Sequence, residues 1–168
     1  LYAGLDILKP HVQQMDLGVR GSVVIGTVKG DVHDIGKNIV KMMFDVAGFQ
    51  VYDLGRDVPL DKFLEEQIRT DSDLVCLSAM MTTTMTGMKK VVDLIRERGL
   101  DGDIKVIVGG GGVTQEFAAG IGADGYDATA PGAPAAGSDL TSRKRKISPA
   151  MASPGNPATR KAGRQPQE

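Results

Sequence analysis

The period of the apolar positions changes several times between residues 20 and 126, and each change marks an element. Val23-Val24-Ile25-Gly26-Thr27-Val28 is a continuous apolar run of strand length, predicting a first strand over 22–28. From Ile35 the spacing turns helical. Ile35, Ile39, Val40, Met43, Phe44 and Ala47 share one face of a helix over about 35–47, which Gly48 ends in the manner of a C′ glycine. A short second strand is expected near 50–54. Pro59 and Asp61 then open a helix to about residue 70, carrying Phe63, Leu64 and Ile68. Leu74-Val75-Cys76-Leu77-Ser78 is apolar on both faces, as a central parallel strand requires. A helix over 84–98 closed by Gly99, a fourth strand over 104–108, a short helix over 114–120 and a short strand over 123–126 complete the series.

Strands alternating with helices through short connections predict an α/β fold, a doubly wound five-stranded parallel sheet of flavodoxin or Rossmann-like type with right-handed crossovers. The expected strand order is 2-1-3-4-5, with ligands bound outside the strand C-termini between the first and third strands. Two polar stretches fall there: Gly30-Asp31-Val32-His33-Asp34-Ile35-Gly36 after the first strand, and Ser78-Ala79-Met80-Met81-Thr82-Thr83-Thr84-Met85 after the third.

Composition narrows the class. A chain of 168 residues holds one ordinary domain, and it has no apolar run of about 18 residues, so no membrane partner is expected. The one cysteine, Cys76, lies inside an apolar strand, which excludes an internal disulfide and fits a cytoplasmic protein with a packed thiol. The net charge of −1 conceals a division: residues 1–140 hold 13 Lys and Arg against 20 Asp and Glu, and residues 141–168 hold 7 against 1. From residue 129 the chain is rich in Pro, Ala, Ser and Gly, poor in bulky apolar residues, and carries Arg143-Lys144-Arg145-Lys146. It reads as a disordered basic tail, either natural or left by an altered gene end. With no aromatic residues between those charges, no nucleic-acid partner is expected. Leu1, Leu5, Leu8 and Val12 recur at helical spacing, so residues 1–16 read as the end of a helix.

The candidate chemistry begins with His33, set between Asp31 and Asp34. A carboxylate beside an imidazole fixes its tautomer and raises the basicity of the far nitrogen, which is how proteins prepare a metal ligand; an ordinary strand–helix turn is the other reading. Ser78, Thr82 and Thr84 supply hydroxyls and leave room for a flat group, although helix capping uses the same residues. Gly109-Gly110-Gly111-Gly112 lets backbone approach a ligand closely.

Together these motifs resemble a known signature. Asp31-x-His33-x-x-Gly36 is followed after 41 residues by Ser78, and Met80 after 28 residues by Gly109-Gly110. This resembles the Asp-x-His-x-x-Gly, Ser-x-Leu and Gly-Gly pattern of cobalamin-binding domains, with Met80 in place of the leucine. Residues 30–40 and 78–85 are most similar to corrinoid methyl-carrier proteins and the cobalamin domain of methionine synthase. The resemblance implies a base-off cobalamin, methylcobalamin or a related corrinoid, with His33 as lower axial ligand to cobalt. The nucleotide tail would thread between the first and third strands beside Ser78 and Thr82 and along Gly109-Gly110. Gly30, Val32, Asp34 and Gly36 would frame the ligand loop, and Asp31 with Thr84 would form a proton relay to His33. It also implies residues 1–16 as the last helix of a truncated helical cap, 19–128 as the cobalamin domain, and 129–168 in place of the usual final helix. The expected role is a carrier, not a complete enzyme. Its expected partners are a substrate-specific methyltransferase (methanol, methylamine or aryl methyl ether type), an acceptor methyltransferase and a corrinoid reductive activator. A domain of an adenosylcobalamin mutase, a cobalamin-dependent sensor and a non-binding remnant are the alternatives.

Overall fold

Three of the most apolar runs in the sequence lie side by side at the centre of one sheet. A computed structural model describes residues 20–126 and 132–147, with side chains up to 141 in the second stretch. The strands are β1 (Gly21–Val28), β2 (Phe49–Val58), β3 (Leu74–Ser78), β4 (Lys105–Gly109) and β5 (Gly125–Tyr126). They pair in parallel in the order β2-β1-β3-β4-β5, the order expected. Val23, Ile25 and Thr27 of β1 stand opposite Leu74, Cys76 and Ser78 of β3, which brings the C-terminal ends of both strands to the same edge.

Alternation along the strands divides the core. Val24, Val28, Val75, Leu77, Val106 and Val108 face the helices α2 (Leu60–Thr70), α3 (Thr82–Glu97) and α4 (Gln115–Ile121), where Phe63, Met88, Val91 and Ile95 complete the packing. Val23, Ile25, Leu74, Cys76 and Ile107 face the other way, against α1 (Ile35–Val46) and α5 (Ala133–Ile147). Among the described residues, no helix is long and apolar enough to cross a membrane.

The structure departs from the sequence reading at two elements. β2 does not stop near residue 54 but continues to Val58: Ile25 is opposite Asp53, Gly26 opposite Gly55 and Val28 opposite Val58, so two register shifts carry it past its turn-like residues. The second departure is α5, which occupies part of the stretch expected to be disordered from residue 129. It docks through small residues. Ala133 is buried, Ala136 and Leu140 pack beside it, and a Cβ on Gly137 would lie 2.8 Å from Leu74 Cδ1 and 3.0 Å from Phe44 Cε1. Pro134 is tolerated because the first turn of a helix has no intrahelical use for its N–H. A stripe of alanine and glycine seats a helix closely without the bulky pattern that betrays it in sequence. The helix expected over 1–16 and the remainder of the basic tail lie outside the described residues.

Candidate functional site

β1 ends at Val28, and Gly30, at φ 85°, turns the chain so that the Asp31 N–H donates to the Val28 carbonyl at 3.1 Å. Asp31 is fully buried. Its Oδ1 accepts the backbone N–H of His33 at 3.0 Å and lies 2.7 Å from His33 Nδ1. Its Oδ2 accepts the backbone N–H groups of Met80 (2.8 Å) and Met81 (3.2 Å) and the Thr84 hydroxyl (2.8 Å). One carboxylate therefore ties the loop after β1 to the turn after β3, at the switch point of the sheet. The Thr84 hydroxyl is also 2.8 Å from the Met81 carbonyl oxygen, so its single proton faces two acceptors.

Burial pushes the Asp31 carboxyl up. The hydrogen bonds from the His33 N–H, the Met80 N–H, the His33 ring and Thr84 outweigh it and hold the group well below the usual carboxylate range. A carboxylate oxygen only accepts, so in its neutral form the His33 ring carries its proton on Nδ1 and leaves the Nε2 lone pair for a ligand. The ring is half-exposed, at 47%.

His33 stands in the wall of a cavity of about 530 Å³ that Val32, Asp34, Ile35 and Met80 also line. Val32, Ile35 and Met80 are large apolar side chains left exposed at this edge. A second cavity, of about 200 Å³, lies on the α1 and α5 side of the sheet, floored by Ile25, Cys76 and Ile107 and walled by Val40 and Ala133. Both cavities touch Gly36, Ser78, Gly110 and Gly111, so the open mouth at His33 continues into an apolar slot. Gly110 has no substitute there: its φ is 125°, and a Cβ would sit 2.0 Å from the Ala79 carbonyl oxygen. Gly109, paired with Ser78 across β3 and β4, lines the slot alone.

Of the residues singled out in the sequence, Gly30, Asp31, Val32, His33, Asp34, Gly36, Ser78, Thr84, Gly109 and Gly110 come together here. Thr82 does not. It is exposed in the first turn of α3 and lines neither cavity. Three contributors escaped the sequence. The Met80 and Met81 amides act through backbone, which residue identity does not reveal. Lys37 is buried beside the slot, with Nζ 2.7 Å from both Asp53 Oδ1 and Asn38 Oδ1. Its place on the stripe of Val40 and Phe44 was the available signal.

The donor set indicates what kind of group fits. Among the described residues, no three His, Cys, Asp or Glu side chains gather as a metal cage. His33 therefore offers one imidazole nitrogen at an apolar mouth that continues into a slot. Cys76 is no competing ligand, since burial pushes its thiol up to about 12 and metals bind the thiolate.

Residues 21–134 match the family described as the B12 binding domain. The chain belongs to the B12-binding domain family. Its cofactor is accordingly a corrinoid, and the residues above fit one. The chain is 50% identical over 120 residues to dimethylamine corrinoid protein 3 of Methanosarcina acetivorans, a match covering 71% of this chain and 56% of that protein, so it spans little more than half that relative's length. Among solved structures it resembles a cobalamin-binding protein from Desulfitobacterium hafniense DCB-2 (34% identity, TM-score 0.72, covering 83% of this chain and 67% of that one). It also resembles a chain of the methanol:cobalamin methyltransferase complex MtaBC from Methanosarcina barkeri (35% identity, TM-score 0.70, covering 77% and 50%).

Proposed function

We propose that this chain carries a methyl group on a corrinoid whose cobalt His33 would ligate, between a methylamine-specific methyltransferase and an acceptor methyltransferase. The observation that carries the reading is the His33–Asp31 pair, which leaves Nε2 as a free donor in an apolar mouth that continues into a slot. When bound, the corrinoid supplies the cobalt that takes up and gives up the methyl group. The protein's part is ligation, orientation and protection. His33 would hold the metal through its Nε2 lone pair. Ser78, Gly109 and Gly110 line the slot over Cys76, and that slot would receive the cofactor's nucleotide tail. Val32, Ile35 and Met80 would offer the corrinoid an apolar wall around His33 and exclude water there. Asp31, itself held by the Thr84 hydroxyl, would keep the His33 ring aligned toward the metal.

The similarity to a dimethylamine corrinoid protein supports a methylamine as donor, and the similarity within MtaBC supports a separate methyltransferase as partner. A reductive activator that restores oxidised corrinoid completes the partner set, and the buried, protonated Cys76 suits the cytoplasm. The test is to load the chain with corrinoid, reduce it, and add a methylamine-specific methyltransferase with mono-, di- or trimethylamine. The methyl form should develop in the visible spectrum with one of the amines. Methylation from methanol with a methanol-specific enzyme, and from none of the amines, would overturn the donor assignment.

A further inference from the structure

Between the pairs Ile25–Asp53 and Val28–Val58, β1 advances by three residues and β2 by five. Bulges are uncommon in parallel pairs, and where they occur beside functional sites they re-aim a side chain. Here the chain reaches the left-handed region twice, at Gly55 (φ 86°) and at Asp57 (φ 53°). The other non-glycine residue with positive φ, Asp71, is the C-cap of α2, where that conformation is routine. Asp57 has no helix end to account for it.

Its contacts supply the account. Asp57 Oδ1 accepts the Gly30 N–H at 2.8 Å, and the Asp57 N–H donates to the Asp31 carbonyl oxygen at 2.9 Å. One residue thus grips the chain on both sides of the Gly30–Asp31 peptide, directly before the carboxylate that orients His33. The accompanying Lys29–Asp57 ion pair is exposed on both sides, and pairs of that kind contribute little. The bulges therefore serve the grip on the loop.

We propose that Asp57 is a positioning residue: it fixes the Gly30–Asp31 peptide and, through it, the hydrogen bond that sets the tautomer and direction of His33. The proposal builds on the ligation reading above, but its first test needs no cofactor. In the corrinoid-free 168-residue chain labelled with 15N-histidine, the wild-type His33 ring should show one tautomer, with the proton on Nδ1. Asp57→Gly relieves the left-handed backbone and removes the acceptor, and should give a mixture of tautomers. Asp57→Asn keeps a carbonyl acceptor and tolerates the left-handed region, and should restore the single tautomer. With methylcobalamin added, the ratio of His-ligated to His-free corrinoid should fall about tenfold in Asp57→Gly, the low end for residues behind a metal ligand, and hold in Asp57→Asn. Wild-type tautomer and ligation in Asp57→Gly would overturn the proposal, as would Asp57→Asn behaving like Asp57→Gly. Should Asp57→Gly not fold, exchange of the Gly30 amide in the wild-type chain decides: protection is expected, and exchange at the rate of an open loop overturns the grip. If the wild-type ring shows one tautomer yet methylcobalamin binds without His33, the ligation reading fails and the positioning role of Asp57 stands.

Discussion

Asp31, itself fully buried, accepts from three backbone N–H groups, one hydroxyl and one ring N–H. Asparagine has nearly the same shape but must turn an NH2 toward donors on one side or the other. Asp31→Asn should therefore destabilise the corrinoid-free chain by about 1–3 kcal/mol in urea titration, the range for a buried polar group left unsatisfied, and weaken corrinoid binding by about 10–100-fold. Thr84→Ser retains the hydroxyl and should change either quantity little. Thr84→Ala removes a hydrogen bond to a charged group and should cost about 1.5–3 kcal/mol. Equal stability of Thr84→Ala and Thr84→Ser would show that the hydroxyl does not support Asp31. The sequence displayed this cluster in outline because Asp31, His33 and Thr84 contribute side chains. The Met80 and Met81 amides were hidden because any residue supplies an N–H.

At the scale of elements, α1 is fastened to β2 by Lys37, buried under the helix and paired with Asp53. Losing one partner of such a pair strands the other charge, and the two partners are not equivalent. Asp53→Ala leaves the buried Lys37 ammonium with Asn38 and should cost about 3–5 kcal/mol. Lys37→Met should cost less, since Asp53 keeps Lys41, the Gly55 N–H and contact with water. Burial pushes the Asp53 carboxyl up, and Lys37, Gly55 and Lys41 together bring it below its ordinary value. A folded-state value below the unfolded one means that the stability Asp53 adds is fully present above the usual carboxylate range and is lost as the pH falls from there through the lower folded-state value. Acid unfolding followed by circular dichroism should begin at higher pH in the wild type than thermal stability at neutral pH alone would suggest, and Asp53→Asn should flatten that dependence. α5 is the other fastening. Gly137→Ala gains helix propensity but drives a Cβ against Leu74 and Phe44, so hydrogen exchange should show residues 132–141 loosened and β1, β3 and β4 unchanged. These elements also explain where the sequence was opaque. β2 looked finished at Leu54 because Gly55 and Asp57 are turn formers, here used as bulges, and α5 looked disordered because its contacts are alanine and glycine.

For the whole molecule, the apolar runs at the centre of the sheet and the helical faces between them made the doubly wound order legible, and that order alone brought the His33 loop beside the Ser78–Thr84 turn. The slot was legible only as a consequence of the family signature, since its walls come from α1 and α5, far apart in the chain and joined only by packing. The central proposal is that His33 supplies the nitrogen donor to cobalt. The most direct measurement uses the chain grown with 15N-histidine, loaded with cobalamin and brought to the cobalt(II) form, whose unpaired electron lies along the axial direction and couples to the lower nitrogen. The chain has two histidines, so His33→Gly serves as the control. With His33 as the lower ligand, each cobalt line in the electron paramagnetic resonance spectrum should split into a doublet from 15N, and the doublet should vanish in His33→Gly. A triplet from the unlabelled nitrogen of the cofactor's own base, the same in both proteins, would contradict it.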